Sequence, residues 1–199
     1  MVKDYNKNND DNVSSGKGVA GGYLFRAPLG STKPVDFTAP LDAAFKCCGF
    51  ISEDGVSFAT ESDTEELKDL NGETMHVAKS SNSEQFTTVL AEVKALTQGI
   101  LYGEQNVTDA NGMITVHIKG AETDRYIYVF ELLLKNDRKW RRIVHSANVT
   151  ETSDLAVAAG ELTGRETTFT AYKDPETGDY YTDYIASTET TKTTAPAKV

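Results

Sequence analysis

The chain has 199 residues, a formal net charge of −10 and 39% hydrophobic residues. This length suits one domain with polar ends, and no apolar run approaches the ~20 residues that a membrane-spanning helix needs. The acidic balance argues against tight wrapping of nucleic acid, because such binding depends on Lys and Arg displacing counterions from phosphates.

Both ends of the chain are polar and have few side chains to bury. Residues 1–19 are rich in Asn and Asp and lack the apolar segment of a secretory signal, so we expect synthesis and assembly in the cytosol. This arm is either disordered or ordered on a neighbouring molecule. Residues 188–199 are Thr-rich and predict a disordered tail. The folded domain is therefore expected over residues 20–187.

The stretch from Leu41 to Phe58 has the best specified local structure. Four apolar residues recur at helical spacing and, with Pro40 in the first turn, predict a short helix. Gly49 would end this helix in the left-handed region, with Phe50 folding back onto Phe45. Residues 52–55 predict a turn, after which a strand begins. The residues with helical spacing are Leu41, Ala44, Phe45 and Cys48.

An acidic segment, Glu61 to Gly72, follows this strand. Its sequence, ESDTEELKDLNG, has too few apolar residues to hold a helix against a core, so we expect a loop at the tip of an extended hairpin. Long loops in compact domains are uncommon and tend to be functional. Met75 and Val77 alternate with polar residues and predict a half-buried returning strand.

Residues 84–101 are compatible with two structures. Phe86, Val89, Val93 and Leu96 have helical spacing, whereas Thr87 and its β-branched neighbours favour a strand. The residues alone favour one long helix. A strand followed by a helix remains the alternative, with Gly103 as the helix stop.

The remaining sequence predicts strands. Residues 125–134 are apolar on both alternating faces, which indicates a strand covered on both sides. Residues 135–138 predict a turn, and the chain then returns through residues 139–150. Residues 161–172 and 180–185 predict a last hairpin around the turn at 174–179. The predicted fold is mainly β, an antiparallel sandwich or barrel with two short helices.

No motif in the sequence predicts catalysis, a cofactor or a metal site. Cys47 and Cys48 are adjacent, and the three histidines are far apart, so neither set has the spacing of a metal site. The unusual charge feature is a basic stripe in an acidic chain. It is either a solvated hairpin, a contact with an acidic segment of another copy, or a nucleic-acid contact. The stripe comprises Arg138, Lys139, Arg141 and Arg142, next to Lys135.

The ordered set of these segments resembles the major tail tube proteins of bacteriophages with long, non-contractile tails. The similar segments are GSTKPVDFTAP before the predicted helix, GFISEDGV at residues 49–56, VKALTQGILYG at residues 93–103, and the run from Arg141 to Ile185. No single motif is diagnostic, and the order of the set carries the resemblance over roughly residues 20–187. The resemblance favours a strand followed by a helix from about Val93, and an arm that orders on a neighbour.

The resemblance implies a structural function rather than an enzymatic one. Subunits would form hexameric rings that stack into the tail tube, whose β-lined channel conducts the genome to the host. DNA would pass through this channel without specific binding. A tape-measure protein and a tail terminator are the implied partners, and the protein would belong to the virion after assembly in the host cytoplasm, with no membrane contact.

Three sets of residues are candidates for these roles. The ring-stacking candidates in the acidic segment are Glu61, Asp63, Glu65, Glu66 and Asp69. The candidate partners are the basic stripe and the N-terminal arm. The candidates for the structural core are Leu41, Phe45, Phe50, Phe58, Phe130 and Trp140.

Two other classes of function remain open on the sequence alone. One is a monomeric β-sandwich that binds carbohydrate or a protein ligand, with Tyr180, Tyr181 and Tyr184 as an exposed aromatic platform. The other is an enzyme whose residues converge only in the fold, for which Cys47, Cys48 and a histidine are the candidates.

Overall fold

The computed structural model describes residues 8, 10–120, 123–155, 157–160 and 162–188. Most of the predicted C-terminal tail, residues 189–199, and residues 1–7 of the predicted arm lie outside this range. The described residues form one α-helix, eleven strands and three short 3-10 turns. In chain order the helix and strands are β1 (Lys17–Gly18), β2 (Leu24–Pro28), β3 (Lys46–Cys47), β4 (Ile51–Lys68), β5 (Thr74–Leu90), α1 (Ala95–Tyr102), β6 (Val107–Ala110), β7 (Met113–Val116), β8 (Tyr126–Leu133), β9 (Lys139–Thr152), β10 (Glu166–Ala171) and β11 (Tyr181–Ile185).

Nine of these strands form one sheet, and every strand pair in it is antiparallel. The strand order is β3-β2-β8-β9-β10-β5-β4, with β1 beside β8 and β11 beside β9. A separate hairpin pairs β6 with β7. The predicted mainly β, antiparallel fold is therefore confirmed.

The sheet curls around an aromatic core. Phe58 on β4 and Phe86 on β5 lie 5.2 and 5.4 Å from the ring of Phe130 on β8, measured between ring centroids. These strands are far apart in the strand order, so one face of the sheet folds onto itself. Phe86 also stacks on Phe169 of β10, with centroids 4.4 Å apart. Aromatic rings packed in this way supply much of the apolar area that a core buries.

Strand β8 is covered on both faces, as predicted. Tyr126, Tyr128 and Phe130 point into the aromatic core. Ile127 and Val129 belong to a second apolar cluster on the opposite face, which includes Phe45 and Ile143. Residues from the segment 41–45 cover this second cluster.

The candidate core residues have different surroundings. Phe45 and Phe130 are buried, and Leu41 and Phe58 are half-buried against the two clusters. Phe50 is 67% exposed, so its expected place in the core was wrong. The Trp140 side chain is half-buried, and its indole Nε1 donates to Asp183 (2.9 Å).

The predicted helix at Leu41 to Cys48 was wrong, which leaves one of the two expected short helices. The Asp42 carboxylate instead accepts from the backbone N–H of Ala44 (2.8 Å), which makes a local turn. Residues 46–47 then pair with β2 as β3, and the N–H of Cys48 donates to the carbonyl of Leu24. A short helix would forgo this pairing, and isolated helices of eight or so residues are marginal in water.

The segment after this turn is strand rather than a free turn. The register passes from Ile51 opposite Leu90 to Val56 opposite Thr88, so residues 52–55 form a bulge of four residues within β4. Gly55 has a φ of 76°, and its carbonyl accepts from the hydroxyl of Thr88 (2.8 Å). Residues 52–55 therefore do bend the chain, as predicted, but the bend lies within a strand that continues on both sides of it.

The acidic segment is also strand. β4 continues to Lys68 and β5 begins at Thr74, so the predicted loop Glu61 to Gly72 is reduced to a tight turn at residues 69–73. The predicted extended hairpin is confirmed, but the acidic residues form part of its ladder. Backbone pairing to the returning strand decided this outcome, because acidic side chains on a solvated strand do not prevent ladder hydrogen bonds.

Residues 84–101 form the strand and helix that the resemblance favoured. β5 ends at Leu90 and α1 spans Ala95–Tyr102. Gly103 has a φ of 87°, and its N–H donates to the carbonyl of Gly99, which ends the helix. The one long helix that the residues alone favoured was wrong, because Phe86 and its neighbours pair with both β4 and β10.

The predicted last hairpin was wrong. β10 and β11 both pair with β9, one after the other along the same edge of that strand. Residues 172–180 leave this edge and return to it. The turn at 174–179 closes on itself, since the N–H of Asp174 donates to the carbonyl of Asp179 (2.8 Å).

Candidate assembly surface

The distal part of the β4–β5 hairpin is exposed to solvent on both faces. We call residues 59–78 the outer hairpin. From Ala59 to Val77, every residue whose burial the structure describes is exposed except Asp69. Two-stranded hairpins are marginally stable alone in water, so this one is held as a continuation of the larger sheet.

The outer hairpin exposes large apolar side chains. The exposed fraction is 52% for Leu67, 104% for Leu70, 68% for Met75 and 53% for Val77. The half-burial predicted for Met75 and Val77 was therefore wrong. Single exposed apolar residues are common, but a group of them on one projecting element marks an interaction surface.

The acidic candidates lie along this hairpin. Glu61, Glu65 and Glu66 are exposed on β4. Asp63 pairs with Ser81 in the ladder, and its side chain lies outside the description. Asp69 has a local function, because its carboxylate accepts from the N–H groups of Asn71 (2.9 Å) and Glu73 (2.7 Å) and so forms the turn.

The same hairpin also leaves a sheet edge open. β4 ends the strand order, and no strand in the described part of the chain pairs with its outer side. An edge of this length presents rows of unpaired N–H and C=O groups, which are a template for pairing with another chain. The open edge and the exposed apolar side chains lie on one element.

The basic stripe is not a continuous exposed surface. Arg141 is buried, and its guanidinium lies 2.6 Å from the Glu131 carboxylate and donates to the carbonyls of Asp36 and Ala39. Arg142 pairs with Asp183 (2.5 Å) and lies over the ring of Phe58. The charges of these two arginines are therefore compensated within the chain.

The other end of the stripe contacts the chain's own N-terminal segment. Arg138 donates to the hydroxyl of Ser14 (3.1 Å) and to the carbonyl of Ala186 (3.2 Å), while Lys139 is exposed. β1 pairs with the end of β8. The described part of the N-terminal arm thus lies along its own subunit.

The tyrosines proposed as an aromatic platform do not form one. Tyr180 donates its hydroxyl to the carbonyl of Asn82 (2.8 Å). Tyr181 packs against Phe58, and burial raises the pKa of its hydroxyl. Tyr184 packs against the second apolar cluster instead. The three rings serve different contacts, which removes the geometric basis for a stacking site.

The thiols lack the surroundings of a reactive cysteine. Cys48 is fully buried, and burial raises the pKa of its thiol to about 12, which suppresses the nucleophilic thiolate. Cys47 is half-buried beside it. Among the described residues, no group of three His, Cys, Asp or Glu side chains could hold a metal ion. No helix in that part of the chain is long and apolar enough to span a membrane.

A cavity that the sequence did not predict lies near the start of β8. We call it the Asp174 pocket; its volume is about 590 Å³. Lys33 Nζ lies 2.5 Å from the Asp174 carboxylate, and His145 Nδ1 lies 3.5 Å from it. Asp174 belongs to a turn that the sequence marks clearly, but only the fold brings it to Lys33 and His145. The main lining residues are Leu29, Lys33, Arg125, Ile127, His145 and Asp174.

These features define a class of protein. A β-sheet protein with a long open edge and an apolar hairpin exposed on both faces presents surfaces that other subunits can cover. The comparison with known families gives the particular family: the model of the phage tail tube protein family matches residues 7–197, and the chain belongs to this family. It is a structural protein of the phage tail, within the virion, and not an enzyme; proteins of this kind self-assemble. A comparison with curated proteins finds no match.

Proposed function

We propose that this protein forms hexameric rings that stack into the tube of a long, non-contractile phage tail, and that the outer hairpin makes the contact between rings. The observation that supports the proposal most strongly is the exposure of both faces of this hairpin, with Leu67, Leu70, Met75 and Val77 uncovered. An isolated subunit gains nothing from these side chains in water, whereas a neighbouring subunit would bury them.

The open edge of β4 has a separate function in this proposal. Pairing of that edge with a neighbour in the same ring would extend the sheet from subunit to subunit and close a larger barrel. Contacts of this heterologous kind give rings when their rotation closes and filaments when it does not. A tube needs one set of contacts that closes into a ring and a second set that extends as a filament.

The remaining parts of the proposal follow from the family resemblance. The channel inside the barrel would conduct the genome without specific binding, and an acidic protein suits this because like charges disfavour adsorption of phosphate. A tape-measure protein would fill the channel during assembly, and a terminator would end the tube. Glu61, Asp63, Glu65 and Glu66 would contribute electrostatic specificity to the contact between rings.

Truncation of the outer hairpin tests the proposal. Thr64 and Lys79 are paired in the ladder, so an Asn-Gly turn can join them and replace residues 65–78. We expect the truncated protein to melt within about 4 °C of the parent, a shift of ~1 kcal/mol for a chain of this size. Electron microscopy should show tubes for the parent, and only subunits or single rings for the truncated protein. Normal tubes from the truncated protein would refute the stacking assignment.

A further inference from the structure

The Asp174 pocket combines an apolar floor with a basic rim. Leu29, which is 51% exposed, contributes apolar surface to its lining, and Ile127 in the same lining is fully buried. The Asp174 carboxylate is buried and compensated by Lys33, and the buried Nδ1 of His145 has no hydrogen-bond partner among the described residues. Because its acid is already paired, the pocket can accept a further anionic group.

Two exposed cations complete the rim. The Arg125 guanidinium stacks 3.6 Å from the centroid of the Tyr172 ring, and Lys173 lies 5.4 Å from the ring of Tyr180. Both residues are exposed at the pocket mouth, where Glu176 is the exposed acid in the lining. With Asp174 neutralised by Lys33, the mouth has a net positive charge.

The tip of the outer hairpin has the complementary chemistry. Leu70 projects from the turn with its side chain fully exposed. Glu65, Glu66 and Glu73 are exposed on the strands and turn that lead to it, and Lys68 compensates Glu66 at 3.5 Å, so the end of the hairpin has a net negative charge. The tip thus combines an apolar side chain with acidic neighbours. The Asp174 pocket combines an apolar floor with a basic rim, so the two surfaces are complementary.

Strand register shows that the tip cannot reach the pocket of its own subunit. Ala171 pairs with both Ala147 and Glu84, so residue 84 of β5 lies level with the pocket residues of β9. From there β5 runs ten residues to Thr74, which is about 33 Å at ~3.3 Å per residue. A contact between tip and pocket therefore joins two copies.

Three other cavities suit an acidic tip less well, and the smallest, of about 160 Å³ beside α1, has Glu92 as well as Arg165 in its lining. A cavity of about 490 Å³ beside β4 has Glu53 and Asp54 at its margin against Lys17. A third, of about 280 Å³, is lined mainly by glycines and apolar residues and contains Glu92. Acidic groups at all three would repel the tip, so charge favours the Asp174 pocket.

We propose that the Asp174 pocket of one subunit receives the outer-hairpin tip of a second copy, with Leu70 on the apolar floor and the tip carboxylates on Arg125 and Lys173. This assignment rests on the proposed function and names the surface that receives the hairpin. Because donor and acceptor are different surfaces, the contact is heterologous, and it extends from copy to copy as a filament when its rotation does not close a ring.

Charge reversal at the pocket tests the assignment. In Arg125→Glu/Lys173→Glu the fold should be retained, since both residues are exposed, and the concentration needed for polymerisation should rise about tenfold or more. The matched control is Lys46→Glu/Lys119→Glu, which changes the net charge equally at exposed positions outside the pocket. The control should polymerise like the parent. Normal polymerisation of the pocket variant would overturn the assignment.

Mixing separates this assignment from the proposed function. The truncated protein retains the pocket, and the pocket variant retains the tip. Neither should form tubes alone, but together they should form a complex that contains both proteins in equal amounts. Failure to associate would overturn the pocket assignment, whereas tubes from the truncated protein alone would overturn the proposed function.

Photocrosslinking locates the contact directly. A benzophenone amino acid in place of Leu70 should retain the fold, because this side chain is fully exposed in the subunit, and it keeps an apolar group at the tip. In assembled tubes we expect crosslinks to peptides that contain residues 29–33, 125–127 or 172–176, identified by mass spectrometry. Crosslinks confined to other peptides would place the tip elsewhere and overturn the assignment, while leaving the hairpin as the stacking element.

Discussion

Strands β4 and β5 form one continuous antiparallel pair with two very different environments. In the inner region, the rings of Phe58 and Phe86 lie 6.0 Å apart and pack against Phe130. In the outer hairpin the same ladder continues, but Leu67 and Met75 face solvent. The comparison separates two contributions to the stability of a strand, namely backbone pairing and side-chain burial. Pairing extends well beyond the core, whereas burial ends near residue 59, and the uncovered remainder is the surface available to other subunits.

Loss of a core ring on the inner region should have the largest effect on stability. Phe86 is fully buried and contacts Phe58, Tyr128, Phe130 and Phe169. Phe86→Ala should lower the free energy of unfolding by about 3–5 kcal/mol, because it removes apolar burial and leaves a cavity. Chemical denaturation measures this directly. The control Phe50→Ala removes an exposed ring and should cost below ~1 kcal/mol. Equal costs would mean that the inner region is not the core.

Removal of the buried cation should have the next largest effect. Arg141→Met leaves the Glu131 carboxylate and the carbonyls of Asp36 and Ala39 without their donor. We expect a loss of roughly 2–3 kcal/mol in the free energy of unfolding, because buried polar groups are costly when unpaired. Lys139→Met, on the same strand but exposed, should change it by less than ~0.5 kcal/mol. A small effect of Arg141→Met would restore this residue as a candidate for an intersubunit contact.

The Asp174 pocket should make stability depend on pH. Burial, followed by the charge of Lys33, lowers the pKa of His145 below its ordinary 6.5, although Asp174 and Asp179 act in the opposite direction. Between the lowered pKa and 6.5 the unfolded chain binds the proton more readily. The contribution of His145 is therefore complete above pH 6.5 and is lost as the pH falls below it.

The side chain of Asp174 adds a second, more acidic window. The hydrogen bond from Lys33 lowers the pKa of this carboxyl below 3.8, so its contribution is lost as the pH falls below that value. His145→Gln keeps a polar partner for Thr182 and should flatten the decline of melting temperature just below pH 6.5. The control is His76→Gln on the outer hairpin. An unchanged slope in His145→Gln would show that another group titrates there.

The local sequence predicted the strands well where both faces are specified. Residues 126–133 place apolar side chains on both alternating faces. A strand that is buried on both faces covers both sets. The helix at Leu41 to Cys48 failed because its apolar spacing is equally satisfied by a turn that covers Ile127 and Val129. The last hairpin failed because the common partner, β9, is distant in sequence from the turn at 174–179.

The hairpin that bears the candidate surface was predicted, and the function of its acidic residues in assembly stays a prediction. Alternation at Met75 and Val77 indicated burial that the fold does not provide. Alternation of apolar and polar residues predicts that one face of a strand is apolar. It does not predict whether that face is covered by the same subunit or by another one. The basic stripe was interpreted as one surface for a related reason. Charge composition shows how many basic residues are adjacent in sequence, and it does not show that Arg141 is buried.

The smallest effect on the stability of the isolated subunit is expected at the tip of the outer hairpin. Leu70→Ser should change the free energy of unfolding by less than ~0.5 kcal/mol, because a fully exposed side chain loses little burial. Assembly should nevertheless weaken, since burying a Leu side chain against a second copy contributes about 1.5–3 kcal/mol. The concentration at which tubes appear, followed by light scattering, measures this.

A second exposed apolar residue provides the control for Leu70→Ser. Val157 is 77% exposed and lies outside the hairpin and outside the Asp174 pocket. Val157→Ser makes the same kind of change and should leave both stability and tube formation as in the parent. If Leu70→Ser and Val157→Ser assemble alike, exposure of the outer hairpin has no consequence for assembly, and the contact between subunits must depend on the open edge of β4. If only Leu70→Ser is impaired, while its melting transition is unchanged, the uncovered part of the β4–β5 pair functions between subunits and the covered part within one.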